Sequence, residues 1–206
     1  MKLYCFPPSP NSRKVQALAA HLNIALEIQV VNLAAGEHKK PEYLKINRSG
    51  RTPTLVDGDF RLAESNAIMQ YIVAKASPND MWPSDDRVRA KITAWQCWQL
   101  DQWNRACNVL TWENMVKKFF NAGDPDPNEV KRGEGLFNTY ATELNEHLQG
   151  RDYLLGKNLT LADFAVAAPL EYAVPAGFPL QPYANVQRWY ARISELDAWQ
   201  KTASKM

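Results

Sequence analysis

The sequence has few cysteines, no strong excess of charge and no long apolar run. Its three cysteines, Cys5, Cys97 and Cys107, form no C-x-x-C pair and no cluster with histidine, which argues against a disulfide framework, a zinc site and a dithiol redox centre. The 24 basic and 22 acidic residues leave a net charge of +2, so no global field favours a nucleic acid or a membrane as the main partner. We expect reduced thiols, no metal and no nucleic acid.

The apolar stretches at the start of the chain are short as well. MKLYCF runs into prolines before it reaches the length of a signal-peptide core, and no later stretch approaches a membrane span. The expected location is therefore cytoplasmic. What the sequence does contain is 46% hydrophobic residues in a chain of 206, which is ample for one large domain or two smaller ones.

Residues 1–78 alternate short strand patterns with helical patterns. KLYCF is typical of a strand, the turn residues of FPPSPNSRKV (6–15) follow it, and RKVQALAAHL then carries apolar side chains at helical spacing. ALEIQVVNL (25–33) predicts a second strand, and residues 41–46 predict a short helix with proline in its first turn. The basic loop around that helix is punctuated by glycine and proline.

The clearest local signal is TPTLVDGDFRLAE, where two apolar runs flank Asp57-Gly58. That dipeptide favours the type I′ turn of a two-residue hairpin, so the third and fourth strands are predicted to be antiparallel neighbours. NAIMQYIVAKA then predicts a helix with Glu64 or Ser65 at its N-terminal end. The expected fold is an α/β domain in the order βαβ-α-ββα, with a mixed four-stranded sheet.

The composition changes after residue 78. Residues 79–86 combine proline with turn residues and predict a linker, and residues 87–206 show long helical patterns without strands. One long helix is expected from 87 to about 121 and a second from 130 to 148, with three more behind them. The second domain is therefore predicted to be all-helical.

One of these later helices opens on LTLADFAVA. Thr160 and Asp163 stand at the spacing of a capping box, in which two side chains satisfy free backbone N–H groups at a helix start. Leu159 and Phe164 can add a hydrophobic staple. We therefore expect this segment to affect folding far more than catalysis.

Four segments, in this order, carry a resemblance to a known family. They are S-P-N-S-R-K-V from Ser9, GEHKKPEYL (36–44), NRSGRTPTLVDGDFRLAESNAI (47–68) and LTLADFAVA (159–167). Over nearly its whole length the chain resembles a cytosolic glutathione transferase, most closely the serine-type classes such as phi, theta and related bacterial groups. The resemblance implies a thioredoxin-like first domain that binds glutathione, and an all-helical second domain that contributes the hydrophobic substrate site.

The resemblance implies how the first domain would hold the peptide part of glutathione. The Thr52-Pro53 bond would be cis and would turn the Thr52 main chain toward the cysteinyl backbone. Glu64 and Ser65 would bind the γ-glutamyl end, since the free N–H groups of a helix N-terminus suit a carboxylate. Glu64 can also meet the ammonium or the peptide amides.

Cationic side chains between residues 38 and 51 would complement the acidic tripeptide. The resemblance implies that His38, Lys39 and Arg51 face the glycyl carboxylate and neighbouring polar groups. Arg51 stands where the family usually has glutamine. Taken without the resemblance, the same charges are typical of a solvated face, and Tyr43 is the only aromatic residue among them, whereas single-stranded nucleic acid binding would favour several.

The resemblance also implies a serine that stabilises the glutathione thiolate. A free thiol has a pKa near 8.5, and lowering it by about two units requires about 2.7 kcal/mol, which one donated hydrogen bond and the positive end of a helix can supply. The family pattern S-x-x-x-[RK] selects Ser9, four residues before Arg13, within a loop stiffened by three prolines. Ser12 stays open as the donor, although a serine so placed is most often an N-cap.

By analogy with the family, Trp98, Gln102 and Arg105 on the long helix are candidate contacts for the second substrate. The tryptophans of that helix are equally typical of a core or a dimer interface. Cys5 lies within a strand pattern, where cysteine usually behaves as a small buried apolar group.

We therefore predict a glutathione S-transferase that conjugates reduced glutathione, its co-substrate, to a hydrophobic electrophile in detoxification. The resemblance implies a homodimer without a metal. Two alternatives stay open. One is a glutathione-dependent isomerase or dehalogenase on the same fold, and the other is a non-enzymatic interaction protein that keeps the fold.

Overall fold

The computed structural model describes residues 1–76 and 79–203, in two compact units. The first unit comprises Met1–Pro83 together with Glu195–Met206, and the second comprises Ser84–Ser194. The predicted end of the first domain, at residue 78, lies outside the described residues.

The first unit is built on a four-stranded mixed sheet. Its strands are β1 (Lys2–Cys5), β2 (Glu27–Val30), β3 (Thr54–Asp57) and β4 (Phe60–Leu62). Their order across the sheet is β2-β1-β3-β4, with β1 parallel to β2 and antiparallel to β3, and β3 antiparallel to β4. The predicted sheet is confirmed, although β2 is shorter than the predicted 25–33 because the chain leaves the edge of the sheet after four residues.

The hairpin between β3 and β4 forms with its turn shifted by one residue from the prediction. Asp57 pairs with Phe60, so the two-residue loop consists of Gly58 and Asp59 rather than Asp57 and Gly58. Gly58 has a φ of 64°, a conformation that glycine adopts without steric cost. Asp57 remains in the strand, where its carboxylate accepts a hydrogen bond from the Tyr71 hydroxyl at 2.8 Å.

Helices cover the sheet in the order that the sequence predicts. They are α1 (Pro10–His21), a 3₁₀ turn (Glu37–Lys39), α2 (Pro41–Leu44) and α3 (Ser65–Lys75). Both α1 and α2 begin with proline, whose fixed φ suits the first turn of a helix and whose missing N–H is not needed there. Helices α1 and α3 pack against each other, which brings their N-terminal ends into one region.

The helices of the second unit are α4 (Asp86–Trp98), α5 (Asn104–Thr111), α6 (Lys117–Phe119), α7 (Pro127–His147), α8 (Leu161–Ala167) and α9 (Ala184–Ser194). The single long helix predicted from 87 to about 121 is continuous in direction but widens into π-helical turns at Gln99–Trp103 and Trp112–Val116. Within the described part of the chain, no helix is both long enough and apolar enough to cross a membrane.

The last helix, α10 (Asp197–Lys201), belongs to the first unit. The Arg13 guanidinium donates a hydrogen bond to the Trp199 carbonyl at 2.8 Å and lies over the indole ring at 4.5 Å. The two residues of this contact are 186 positions apart in the sequence. A local pattern predicts that α10 is a helix but does not show that it contacts α1, so the sequence prediction placed α10 in the helical domain. The predicted helical domain of 87–206 includes this segment, whereas the second compact unit ends at Ser194.

The start of α8 is held by a buried carboxylate. Asp163 accepts hydrogen bonds from the backbone N–H groups of Leu154 at 2.8 Å and Thr160 at 2.9 Å, and from the Trp189 indole at 3.0 Å. Burial raises the pKa of Asp163, while these bonds oppose the rise because they favour the ionised form. The predicted capping box of Thr160 and Asp163 is confirmed.

Candidate active site

Ser9 stands at the N-cap of α1. Its backbone is extended (φ −74°, ψ 125°), its N–H donates to the Phe6 carbonyl at 2.9 Å, and its carbonyl accepts the Arg13 N–H at 2.9 Å. Within the described residues its hydroxyl makes no capping hydrogen bond, and the residue is half-buried. The helix therefore uses the backbone of Ser9 and leaves its side chain available to a ligand.

Ser12 lies inside α1 rather than at its cap. The helix begins at Pro10, and the Ser12 side chain is fully buried, where its hydroxyl accepts the Phe6 N–H at 3.3 Å. The expectation that Ser12 caps the helix is wrong, because the chain turns into the helix three residues earlier than that role requires, with Ser9 at the N-cap. Of the two serines, Ser9 is the more exposed.

The start of α3 lies beside the start of α1. Ser65 is the first residue of α3, and its hydroxyl donates to the Asn11 side-chain oxygen at 3.4 Å, two residues beyond Ser9. Glu64, at the N-cap, has an exposed side chain and a φ of 67°, which is unusual for a residue with a Cβ. Strained backbone of this kind clusters at ligand sites. The structure thus brings Ser9, Glu64 and Ser65 to one edge of the first unit.

A buried lysine lies behind these two helix starts. Lys14, on α1, is fully enclosed, and its ammonium donates to the Asn66 side-chain oxygen of α3 at 2.7 Å. Burial lowers the pKa of Lys14 to about 7, and the neighbouring Glu64 carboxylate opposes that effect. Sequence reasoning missed both Lys14 and Asn66, because a lysine in S-R-K-V is typical of a solvated helix face.

The peptide bond between Thr52 and Pro53 is cis, as the resemblance predicts. The loop that leads into it is held through the Arg51 carbonyl, which accepts hydrogen bonds from the Tyr43 hydroxyl at 2.6 Å and the Asn47 amide at 2.9 Å. No sequence pattern indicated a role for Tyr43 or Asn47. The only sequence signal for Asn47 was its place in a turn-rich segment.

The predicted cationic residues lie on loops that approach one another. Gly50 has a φ of 60°, and a Cβ there would stand 2.9 Å from the His38 carbonyl oxygen, so glycine permits this close approach. His38 is half-buried, and its Nδ1 has no hydrogen-bond partner among the described residues. Lys39 and Arg51 are exposed. Their positive charges are therefore available to an acidic ligand.

The three residues predicted on the long helix have different surroundings in the second unit. Trp98 lines a cavity of about 540 Å³ together with Trp95. Gln102 is half-buried and does not line this cavity. Arg105 is exposed, and its guanidinium lies 3.6 Å from the Asp101 carboxylate. The three residues therefore share a helix but not one cavity.

The two buried cysteines, Cys5 and Cys107, are poor sources of a thiolate. Burial raises the pKa of Cys5 to about 11 and that of Cys107 well above its usual range. Cys5 is buried in β1, as predicted. Within residues 1–76 and 79–203, no group of three His, Cys, Asp or Glu side chains could hold a metal ion.

Known proteins share both the sequence and the arrangement of these elements. The model described as glutathione S-transferase, N-terminal domain, matches residues 1–74, and the corresponding C-terminal domain model matches residues 127–192. Glutathione S-transferase D7 of Drosophila melanogaster is 31% identical over 192 residues, which are 92% of this chain and 82% of that protein. This chain belongs to the glutathione S-transferase family.

Solved structures of glutathione S-transferases have the same fold. Glutathione S-transferase-I bound with lactoylglutathione is 28% identical, with a TM-score of 0.89 over 100% of this chain and 99% of that chain. A human glutathione S-transferase T1-1 variant in its apo form is 26% identical, with a TM-score of 0.91 over 98% of this chain and 87% of that chain. The predicted fold and the predicted enzyme class, a glutathione transferase, are confirmed. The roles of individual site residues stay predictions.

Proposed function

We propose that this glutathione S-transferase binds reduced glutathione in its first unit and holds the thiol as a thiolate through the Ser9 hydroxyl. The observation that carries the proposal is the position of Ser9 at the N-cap of α1, with a hydroxyl that the helix does not use for capping. The positive end of the α1 dipole favours an anion at the same place. Together these two effects can supply the roughly 2.7 kcal/mol that lowers a thiol pKa by about two units.

The reaction follows from the thiolate. The thiol proton leaves for solvent when glutathione ionises, and the sulfur then forms a bond to an electrophilic carbon. In a substitution the leaving group departs with its bonding electrons, and in an addition the adjacent carbon takes up a proton. The protein contributes ionisation of the nucleophile and proximity of the two reactants.

The γ-glutamyl end of glutathione is assigned to the start of α3. The first turn of a helix has free N–H groups that bind a carboxylate, and the Ser65 hydroxyl lies beside them. The exposed Glu64 carboxylate suits the γ-glutamyl ammonium. The adjacency of this turn to Asn11, near Ser9, supports a single ligand that reaches both.

The rest of the tripeptide is assigned to the loops that contain the cis bond. We propose that the Thr52 main chain, before Pro53, pairs with the cysteinyl backbone. His38, Lys39 and Arg51 then face the glycyl carboxylate, and the close approach at Gly50 supports their grouping.

The second substrate is proposed to be a hydrophobic electrophile that contacts Trp98, Gln102 and Arg105. We further propose a cytoplasmic homodimer that acts in detoxification. The support for these assignments is membership of the family together with the aromatic surroundings of Trp98. A panel of aryl halides, isothiocyanates, enones and peroxides would identify the electrophile class and would reveal any isomerase or dehalogenase activity.

The test is the ultraviolet absorbance of the bound thiolate. Calorimetry first measures glutathione binding at millimolar concentration, and an absence of binding would refute the proposal. Ser9→Ala is then expected to leave affinity nearly intact, abolish the thiolate band near neutral pH and lower kcat by about 100-fold, the equivalent of the lost hydrogen bond. Ser12→Ala is the matched control and should keep the band. The reverse pattern would assign the role to Ser12.

A further inference from the structure

The buried lysine between α1 and α3 has no role in the function proposed above. Lys14 is fully enclosed, its ammonium donates to Asn66 at 2.7 Å, and Asn66 is the second residue of α3. The two residues before Asn66 are Glu64 and Ser65, the proposed γ-glutamyl contacts. The lysine therefore reaches from α1 to the first turn of the helix that would receive a carboxylate.

A positive charge in this position is costly to the fold. Removing an ammonium group from water is unfavourable unless an anion or hydrogen bonds compensate for the loss. Asn66 supplies a hydrogen bond to the ammonium, and the Glu64 carboxylate supplies negative charge nearby. A ligand carboxylate bound at the free N–H groups of this turn would add a second negative charge close to Lys14.

The first turn of α3 is also tied to α1 twice. Ser65 donates to Asn11, and Asn66 accepts from Lys14, so two successive residues are held from the same neighbouring helix. Glu64, immediately before them, has a φ of 67°. Contacts of this kind can hold an unusual backbone in one conformation.

We propose that Lys14 is a positioning residue for the γ-glutamyl carboxylate of glutathione. Through Asn66 it holds the first turn of α3, and its ammonium places positive charge behind the N–H groups that bind the carboxylate. The proposal rests on the function proposed above and adds a determinant of affinity that lies outside direct contact with the ligand.

The alternative is that Lys14 only links two helices. A structural link would change stability, and any effect on binding would be the same for every ligand at the site. A charge that acts on the γ-glutamyl carboxylate changes the affinity only of ligands that contain this carboxylate. The two roles can therefore be separated with an analogue of glutathione that lacks that single group.

The experiment measures Kd by calorimetry at about pH 6, below the pKa of Lys14, so that the ammonium is mostly protonated. The two ligands are glutathione and γ-aminobutyryl-cysteinyl-glycine, which lacks only the γ-glutamyl carboxylate. Lys14→Met should weaken glutathione binding about tenfold, the size of a unit-charge interaction across several ångströms of protein, and change analogue binding by less than about twofold. Lys14→Arg should retain most of the affinity. Lys75→Met, which removes an exposed charge from the far end of α3, is the matched control and should change neither constant.

The outcomes are separable. If the unaltered protein binds no glutathione, the proposed function fails and the role of Lys14 fails with it. If it binds glutathione and Lys14→Met weakens both ligands equally or neither, only the role of Lys14 is overturned. Should Lys14→Met fail to fold by circular dichroism, Asn66→Ala breaks the link from the other side. Asn66→Ala should weaken glutathione binding about threefold and leave the Kd of the analogue unchanged. An equal loss of affinity for both ligands would overturn the proposal.

Discussion

Among the described residues, the first unit fully encloses the Lys14 side chain and the second fully encloses that of Asp163, and the two lie among different groups. Asp163 receives hydrogen bonds from two backbone N–H groups and an indole, so neutral donors from three segments converge on it. The Lys14 ammonium donates to the Asn66 side-chain oxygen on the neighbouring helix and has the Glu64 carboxylate nearby.

The difference concerns what each charge stabilises. Asp163 compensates N–H groups that would otherwise be buried without acceptors, so its charge serves the fold. Lys14 lies behind the helix start assigned to a ligand carboxylate, and burial lowers its pKa to about 7. Burial alone therefore does not distinguish a structural charge from a functional one, whereas the groups around it do.

The largest expected effect is the loss of stability when Asp163 is removed. Asp163→Ala leaves two backbone N–H groups and the Trp189 indole without their acceptor, and each buried unsatisfied donor costs about 1–3 kcal/mol. We expect a loss of about 3–5 kcal/mol in the free energy of unfolding, measured by urea denaturation. The activity per folded molecule should be unchanged.

The control for this prediction is a carboxylate of the same unit on the surface. Asp152 pairs with Arg192 at 3.0 Å, and both side chains are partly exposed to solvent. Asp152→Ala should cost less than about 1 kcal/mol, since exposed ion pairs contribute little. Equal losses for Asp163→Ala and Asp152→Ala would show that the buried network does not stabilise α8.

The second prediction concerns the pH dependence of stability at Lys14. Its pKa is about 7 in the folded protein and 10.5 in its ordinary state, so above about pH 7 the unfolded chain binds more protons and stability rises with pH. The cost of the buried charge is greatest at low pH. Relative to Lys14→Met, the unaltered protein should gain about 2–3 kcal/mol in free energy of unfolding from about pH 7 to about pH 9.

Urea denaturation across that pH range measures the difference. Lys75→Met is the control, because an exposed lysine should show no comparable gain. A constant difference between the unaltered protein and Lys14→Met would mean that Lys14 stays charged throughout. The contrast with Asp163 would then weaken, because the groups around Lys14 would also compensate its charge fully.

Local signals in the sequence were sufficient for much of the fold. The Asp57-Gly58 dipeptide predicted the hairpin, and the Thr160 and Asp163 spacing predicted the capping box. The local pattern also predicted that α3 starts at Glu64 or Ser65, and it starts at Ser65. Each of these depends on residues within a few positions of one another. The cis bond was different, because only the resemblance to the family predicted it.

The parts that sequence reasoning missed depend on contacts between distant residues. Lys14 and Asn66 are 52 positions apart, and Arg13 and Trp199 are 186 apart, so no local pattern shows that these cations are buried. The error at Ser12 has a different cause, because Ser12 and Phe6 are only six positions apart and the Ser12 hydroxyl accepts the Phe6 N–H. The position of a cap depends on where the chain turns, which composition does not reveal.

The third prediction concerns the buried hydroxyl of Ser12. Ser12→Ala removes the acceptor of the Phe6 N–H and should cost about 1 kcal/mol in free energy of unfolding by urea denaturation. Its glutathione affinity should be unchanged, because the hydroxyl is enclosed within α1. A variant with unaltered stability and weaker glutathione binding would place Ser12 in the site instead.

The smallest effect is expected at Ser65, where the hydroxyl serves the ligand more than the fold. Its bond to Asn11 is long, at 3.4 Å, so Ser65→Ala should change the free energy of unfolding by less than about 0.5 kcal/mol. The Kd for glutathione should rise about fivefold, the equivalent of about 1 kcal/mol for one hydrogen bond. Thr139→Ala, which removes an exposed hydroxyl from α7, is the control. An unchanged Kd would remove Ser65 from the binding set and leave the backbone of α3 as the carboxylate ligand.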